Sequence, residues 1–306
     1  MKIVSLLPSA TEILCALGLE EQLVGVTHGC DYPPSVLRLP RITSTGIPAG
    51  ASSGEIDRLV RLRHAAGLPL YDLDEALLRR LAPDLMVTQG LCDVCAVADS
   101  DARAVAARLP GHVDVISLAP VLLADVLANI LELGDRTGTA LQAQALVADA
   151  ERRIAAVRRR TEGLTPRRVS LLEWVDPLYA AGHWTPELVR LAGGIDGHGR
   201  PGARSRRMPW SEVQEWRPEV LVLACCGLDL PRSLDELATL RALPGFAELP
   251  CVASGQLFVI DGDAYFSRSG PRLVDSLEIL AHLLHPELFP YAPGRAGAGT
   301  FASFTP

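Results

Sequence analysis

Cysteine and histidine cluster at a few points in this chain. His28 and Cys30 lie two residues apart in Thr27-His28-Gly29-Cys30-Asp31-Tyr32, Cys92 and Cys95 form a Cys-x-x-Cys, and Cys225 and Cys226 are adjacent. Thiolate and imidazole suit zinc, copper, iron and cobalt. A Cys-x-x-Cys turn can grip one ion from a single turn of chain. His28, Cys30, Cys92, Cys95, Cys225 and Cys226 are therefore the candidate ligands of a bound transition metal. Other readings stand beside this one. A structural zinc site wants four ligands and no second Cys-x-x-Cys follows, so Cys92 and Cys95 also fit a redox pair or plain structure. Cysteine is among the most buried residue types, and Cys225-Cys226 follow an apolar strand where both can be core.

A second set is aromatic and polar. Tyr32, Trp174, Tyr179, His183, Trp184, Trp210, Asp263, Tyr265 and Arg268 are candidate contacts to a flat organic ligand, the rings by stacking and Arg268 by holding a carboxylate or phosphate. Trp184, beside His183 at a helix start, is expected to expose its ring. No catalytic set accompanies them: there is no Gly-x-Ser-x-Gly elbow, no phosphate-binding P-loop and no Gly-x-Gly-x-x-Gly after a strand. The chain reads as a binding protein, with a thiol-redox or corrinoid-modifying enzyme ranked last.

Both sets sit where strands end. Expected strands at 3–7, 23–26, 83–87, 113–116, 168–172, 219–224 and 257–260 alternate with helices, the signature of parallel sheets covered on both faces. In such sheets ligands bind beyond the carboxyl ends of the strands. His28 and Cys30, Cys92 and Cys95, Trp174 to Tyr179, Cys225 and Cys226, and Asp263 to Arg268 all follow expected strands. Ser9-x-x-Glu12 reads as a capping box opening the first helix. Residues 46–54, rich in Gly, Ala and Ser, read as a loop.

From Thr139 to about Glu162 there is neither Gly nor Pro. Ala143, Leu146, Val147, Ala150, Ile154 and Val157 make one helical stripe, so a helix about 36 Å long is expected. After it the pattern restarts: Val4-Ser5-Leu6-Leu7 recurs as Val169-Ser170-Leu171-Leu172. The expected fold is α/β, two Rossmann-like lobes with parallel sheets joined by one long backbone helix. The expected divisions are an N-terminal lobe 1–138, a linking helix 139–165, a C-terminal lobe 166–290 and a flexible tail 291–306.

Bulk properties bound the partners. With 306 residues, 48% of them hydrophobic, the chain can fill two cores. Its net charge of −7 and lack of a basic stripe argue against nucleic acid. No run approaches the roughly 18 apolar residues of a membrane helix. Met1-Lys2 leads directly into a strand, not into a secretory signal. Read this way, the chain is cytoplasmic.

Several motifs together resemble the periplasmic binding protein-like family for cobalamin and iron chelates, closest to its cobalamin-binding members. They are Ser5-Leu6-Leu7-Pro8-Ser9-Ala10-Thr11-Glu12, Gly25-Val26 before Asp31-Tyr32-Pro33-Pro34, Ala82-Pro83-Asp84-Leu85, Ala192-Gly193-Gly194, Pro209-Trp210 and Arg268 through Arg272. The resemblance runs over about residues 2–287. It implies two lobes joined by one rigid helix and no catalysis. It also implies cobalamin or another corrinoid as cargo, a small-molecule metal complex handed to an ABC-importer membrane subunit. Trp210, Arg268 and the region near Tyr179 match ligand-contacting positions of the family. Gly29 and Gly46 stand where its cobalamin binders carry aromatics, and against the family a stretch near 47–72 looks inserted. That departure leaves two readings of the cleft: a corrinoid, or a soft metal held by cysteine and histidine.

Overall fold

The computed structural model describes residues 1–91, 97–290 and 301–304. The fold divides into two compact units. Unit 1 comprises Met1–Ala51, Arg58–Pro120 and Ala124–Val147, and unit 2 comprises Ser52–Asp57, Val121–Leu123 and Ala148–Pro306.

Unit 1 is built on a four-stranded parallel sheet. Its chain runs β1 (Ile3–Ser5), α1 (Pro8–Ala16), β2 (Leu23–Val26), β3 (Thr43–Thr45), α2 (Ser53–Ala65), β4 (Tyr71–Leu73), α3 (Glu75–Leu81), β5 (Leu85–Gln89), α4 (Asp99–Ala106), β6 (Asp114–Leu118), α5 (Leu123–Thr137) and the start of α6 (Ala140–Thr161). The strand order is β2-β1-β5-β6, all parallel. Side chains alternate across the sheet. Ile3, Leu85 and Val87 join one core with Ile13 and Leu14 of α1, while Val4 and Met86 join another with Leu78 and Val105. Both faces are buried, as parallel strands require.

Two local expectations change here. Helix α1 begins at Pro8 with Leu7 as its cap and no side-chain capping bond, so Ser9-x-x-Glu12 is not a capping box. Pro8 explains the shift: lacking an N–H and with φ preset, it takes the first helical position. That places Ser9 and Glu12 inside the helix, where both are buried. The stretch near 47–72 carries α2, framed by an antiparallel ribbon of β3 and β4 that pairs Thr43 with Leu73 and Thr45 with Tyr71.

Unit 2 holds the remainder of α6, then β7 (Arg167–Trp174), β8 (Tyr179–Ala180), α7 (Thr185–Leu191), β9 (Gly194–Asp196), β10 (Arg206–Arg207), α8 (Trp210–Trp216), β11 (Val220–Leu223), α9 (Leu230–Arg241), α10 (Pro250–Ala253), β12 (Leu257–Ile260), α11 (Leu273–Leu284) and β13 (Phe301–Phe304). Its strand order is β10-β8-β7-β11-β12-β13, with β9 also pairing β7. The central β7, β11 and β12 are parallel, whereas β8, β10 and β13 pair antiparallel at the edges. Phe301–Phe304, placed by sequence in a terminal tail, hydrogen-bonds along β12.

Helix α6 shows the expected apolar stripe. Ala143 and Val147 sit in the unit 1 core with Leu146 against it, and Ala150 and Val157 are buried further along. In unit 2, Arg153 of α6 forms ion pairs with Asp275 and Glu278 of α11. Among the described residues no helix is long and apolar enough to cross a membrane.

Candidate functional site

In unit 1 the best-defined polar group beyond a strand end is His28, two residues past β2. Its backbone N–H donates to Thr43 Oγ1 at 3.0 Å, and its Nδ1 lies 2.7 Å from the same oxygen. The imidazole also lies against Tyr71, with ring centroids 5.4 Å apart. Thr43 and Tyr71 come from β3 and β4, so the small ribbon braces His28 on two sides. Burial of this edge, with help from the Arg41 charge, lowers the His28 pKa below its usual value. The ring is neutral near pH 7, and the residue as a whole is exposed.

Cys30 behaves differently. It is buried and packs with Val26 and Val36. Its Sγ lies 3.0 Å from Thr11 Oγ1. Ser5 Oγ donates to the Leu7 carbonyl and Thr11 Oγ1 donates to Ser5 Oγ. With those hydrogens assigned, Cys30 supplies the S–H of a chain running to a backbone carbonyl. Arg41 Nη1 donates to the carbonyls of Thr27 and Cys30, at 3.1 and 2.7 Å, and so holds the loop that carries His28. Tyr32 is exposed in the same loop. Cys92 and Cys95 lie outside the described residues.

In unit 2 most of the aromatic set serves packing. Trp184, expected to expose its ring, is buried with its Nε1 donating to the Phe266 carbonyl at 3.0 Å. The reason is local: Pro186 and Thr185 start α7 against the core, and Trp184 as its cap is drawn in with them. Trp210 stacks on Phe246 at 6.3 Å and donates to the Pro244 carbonyl at 2.7 Å. Trp174 donates to the carbonyls of Ser53 and Asp176. Ser53, in the first turn of α2, is held in unit 2 by Glu236, which accepts from both its N–H and its hydroxyl. Tyr265 is buried beneath the Arg272 guanidinium. Tyr179 is half-buried in β8 beside Arg207 of β10.

Polar residues remain at the carboxyl ends of these strands. Arg268 is buried and donates to Asp263 Oδ2 at 2.5 Å, so this positive charge is neutralised beside β12. His183 has φ of +53°, an uncommon conformation for a residue with a side chain. It is held there because its N–H donates to Ala203 and its carbonyl accepts from Gly202. Gly182 must be glycine, since a Cβ would meet Ser205 N at 2.2 Å. The His183 Nδ1 is buried without a hydrogen-bond partner, and burial together with Arg204 lowers its pKa.

The cysteines of unit 2 divide in the same way. Cys225 is fully buried, and burial pushes its thiol well above the usual range. Cys226 is half-buried, with its N–H donating to the Glu173 carbonyl at the end of β7. Among the described residues, no three His, Cys, Asp or Glu side chains converge to hold a metal ion. The expected metal set is therefore not assembled from His28, Cys30, Cys225 and Cys226.

A serine–histidine pair exists away from the strand ends. Ser170 Oγ lies 2.8 Å from His198 Nε2. Both are buried, and burial lowers the His198 pKa to about 4. A substrate has no route to this hydroxyl, and its base is weak, so the pair is structural. Sequence reasoning missed it, along with Thr43, Tyr71 and Thr11. The three-residue strands β3 and β4 are too short for periodicity to reveal.

Two α/β units, each carrying polar and aromatic groups past its parallel strands, are the architecture of a two-lobed binding-protein fold. The chain belongs to the periplasmic binding protein family, whose profile matches residues 3–264. It is 23% identical over 279 residues to a vitamin B12-binding protein of Vibrio cholerae, covering 90% of this chain and 86% of the relative. It is 22% identical over 295 residues to an uncharacterized ABC transporter substrate-binding lipoprotein of Bacillus subtilis, covering 94% and 81%. The solved periplasmic heme-binding protein of Roseiflexus sp. RS-1 superposes with a TM-score of 0.69 at 24% identity, over 94% of this chain and 99% of that one.

These matches confirm the family resemblance, the α/β fold and the absence of catalysis in the family. They overturn the cytoplasmic placement, which rested on the N-terminal residues and the lack of a long apolar run: the family is one of periplasmic binding proteins, the Bacillus relative is named a lipoprotein and the Roseiflexus structure a periplasmic protein.

Proposed function

We propose that this chain is the substrate-binding protein of an ABC importer and that its cargo is cobalamin or a related corrinoid. The observation that carries the reading is the His28 rim of unit 1. An exposed, neutral imidazole stands beside Tyr71 past the end of a parallel strand, where ligands of such sheets bind. A corrinoid presents a flat ring rimmed with amides, and a neutral polar-aromatic rim suits it. The curated relative of Vibrio cholerae, named for vitamin B12, supports the same cargo. Tyr32, exposed in the same loop of unit 1, is a further contact proposed for it.

The test is retention of the cargo. The protein is incubated separately with cyanocobalamin and with hemin, desalted, and its absorbance recorded. Stoichiometric corrinoid after desalting is the expected result. Retention of hemin alone would replace the corrinoid by another tetrapyrrole, and retention of neither would overturn the reading.

A further inference from the structure

We propose that Thr43 fixes His28 as a hydrogen-bond donor through Nε2, directed at a carbonyl oxygen on the cargo's periphery, and so removes it from metal coordination. The inference rests on the binding reading above for the identity of the cargo; the state of the ring stands independently.

Thr43 is buried, and its hydroxyl has one hydrogen to give and two lone pairs. The His28 backbone N–H, 3.0 Å away, can only donate and takes one lone pair. Nδ1 is the other neighbour, at 2.7 Å. If Nδ1 carried the proton, the oxygen would receive two donors and its own hydrogen would be buried with no acceptor. Buried donors are rarely left unmet, because water is no longer there to satisfy them. The hydroxyl therefore donates to Nδ1, and the proton of the neutral ring sits on Nε2.

The neutral state has its own support. Both burial and Arg41 oppose a charge on this ring. Tyr71 limits its rotation from the other side. A histidine that binds metal through Nε2 must offer a lone pair there and usually donates from Nδ1 to an acceptor. The Thr43 arrangement is the reverse. On this exposed residue it leaves an uncharged N–H to offer, matched to an amide carbonyl of the kind a corrinoid carries around its rim.

Two-bond proton–nitrogen correlation spectra of the apo protein read the tautomer directly. Wild type and Thr43→Ser are expected to show Nε2 protonated and Nδ1 bare, and Thr43→Val a mixture of tautomers. A purely structural role for Thr43 would not change which nitrogen carries the proton. An Nδ1–H tautomer in wild type overturns the assignment. For the cargo, His28→Phe is expected to weaken cyanocobalamin about tenfold, a lost hydrogen bond. It should leave the spectrum of bound aquacobalamin unchanged. A histidine-ligated cobalt spectrum in wild type that disappears in His28→Phe overturns the donor role. Absence of any corrinoid binding overturns the cargo reading, while the nitrogen spectra still decide the tautomer.

Discussion

The indole N–H of Trp184 donates to the carbonyl of Phe266 across 3.0 Å, and both side chains are buried. The bond ties the start of α7 to the segment after β12 that carries Asp263, Tyr265 and Arg268. Trp184→Phe removes the donor and leaves a buried carbonyl unmet, at a cost of about 1–3 kcal/mol. The urea midpoint should fall with an unchanged m-value, the sign of lost stability without lost compactness. An unaltered midpoint would mean that water satisfies the carbonyl.

Thiol reactivity should follow burial. Cys15 is pushed up to about 12 and Cys251 to about 11, in both cases chiefly by burial. Burial raises Cys225 as well. Since the thiolate is the reactive species, these three should label slowly at pH 8 in the native state. Half-buried Cys226 should label first among the cysteines at 15, 30, 225, 226 and 251. Mass spectrometry of peptides after timed alkylation reads the order, and early modification of Cys225 would contradict its placement.

The contrast between Cys30 and His28 shows how much could be read from the amino-acid sequence. Both were legible as chemistry-bearing residues past a strand, and the strand was placed correctly because Leu23 to Val26 is apolar and bounded. The partners were not legible. Thr11, which receives the Cys30 thiol, lies in what reads as an ordinary helix start. Thr43, which receives His28, lies in a strand of three residues held by its pairing with β4. Tertiary pairing creates such strands, and no local period announces them. Trp184 departs from expectation for a related reason. An indole satisfies its N–H inside a core as readily as at a ligand, and only the position of Phe266 decides which.

Asp196 should make unit 2 less stable as pH rises. Its Oδ1 accepts from the N–H groups of His198 and Gly199, while Oδ2 is buried without a partner. Burial raises its pKa from 3.8 to about 6. The folded state therefore holds this proton more tightly than the unfolded chain. The stabilising contribution is full below about pH 4 and is lost as pH rises through 6, by about 3 kcal/mol. His198, lowered by burial to about 4, acts in the opposite sense over the same window and masks the slope in wild type. The difference between Asp196→Asn and wild type isolates it. The variant should gain relative stability from pH 4 to 6.5 in urea titrations, and a pH-independent difference would show that Oδ2 finds a partner.

Arg153 joins α6 to α11 within unit 2 through two carboxylates at once. Its Nε donates to Glu278 Oε1 at 2.9 Å and its Nη2 to Glu278 Oε2 at 2.8 Å, with Asp275 as a second partner of Nη2. All three side chains are largely buried, at 20 to 27% exposure. Arg153→Met preserves the apolar stem and removes the cation. Two neighbouring carboxylates are then left facing each other, and breaking such a cluster from one side costs about 1–3 kcal/mol when it is partly solvated. Burial already raises the Asp275 pKa, with Arg153 pulling it down. Removing the arginine lets it rise further. Protonation in acid relieves the repulsion, so the loss measured at pH 7 should shrink toward pH 4. An equal loss at both pH values would assign the contribution of Arg153 to packing of its stem against α11, not to its charge.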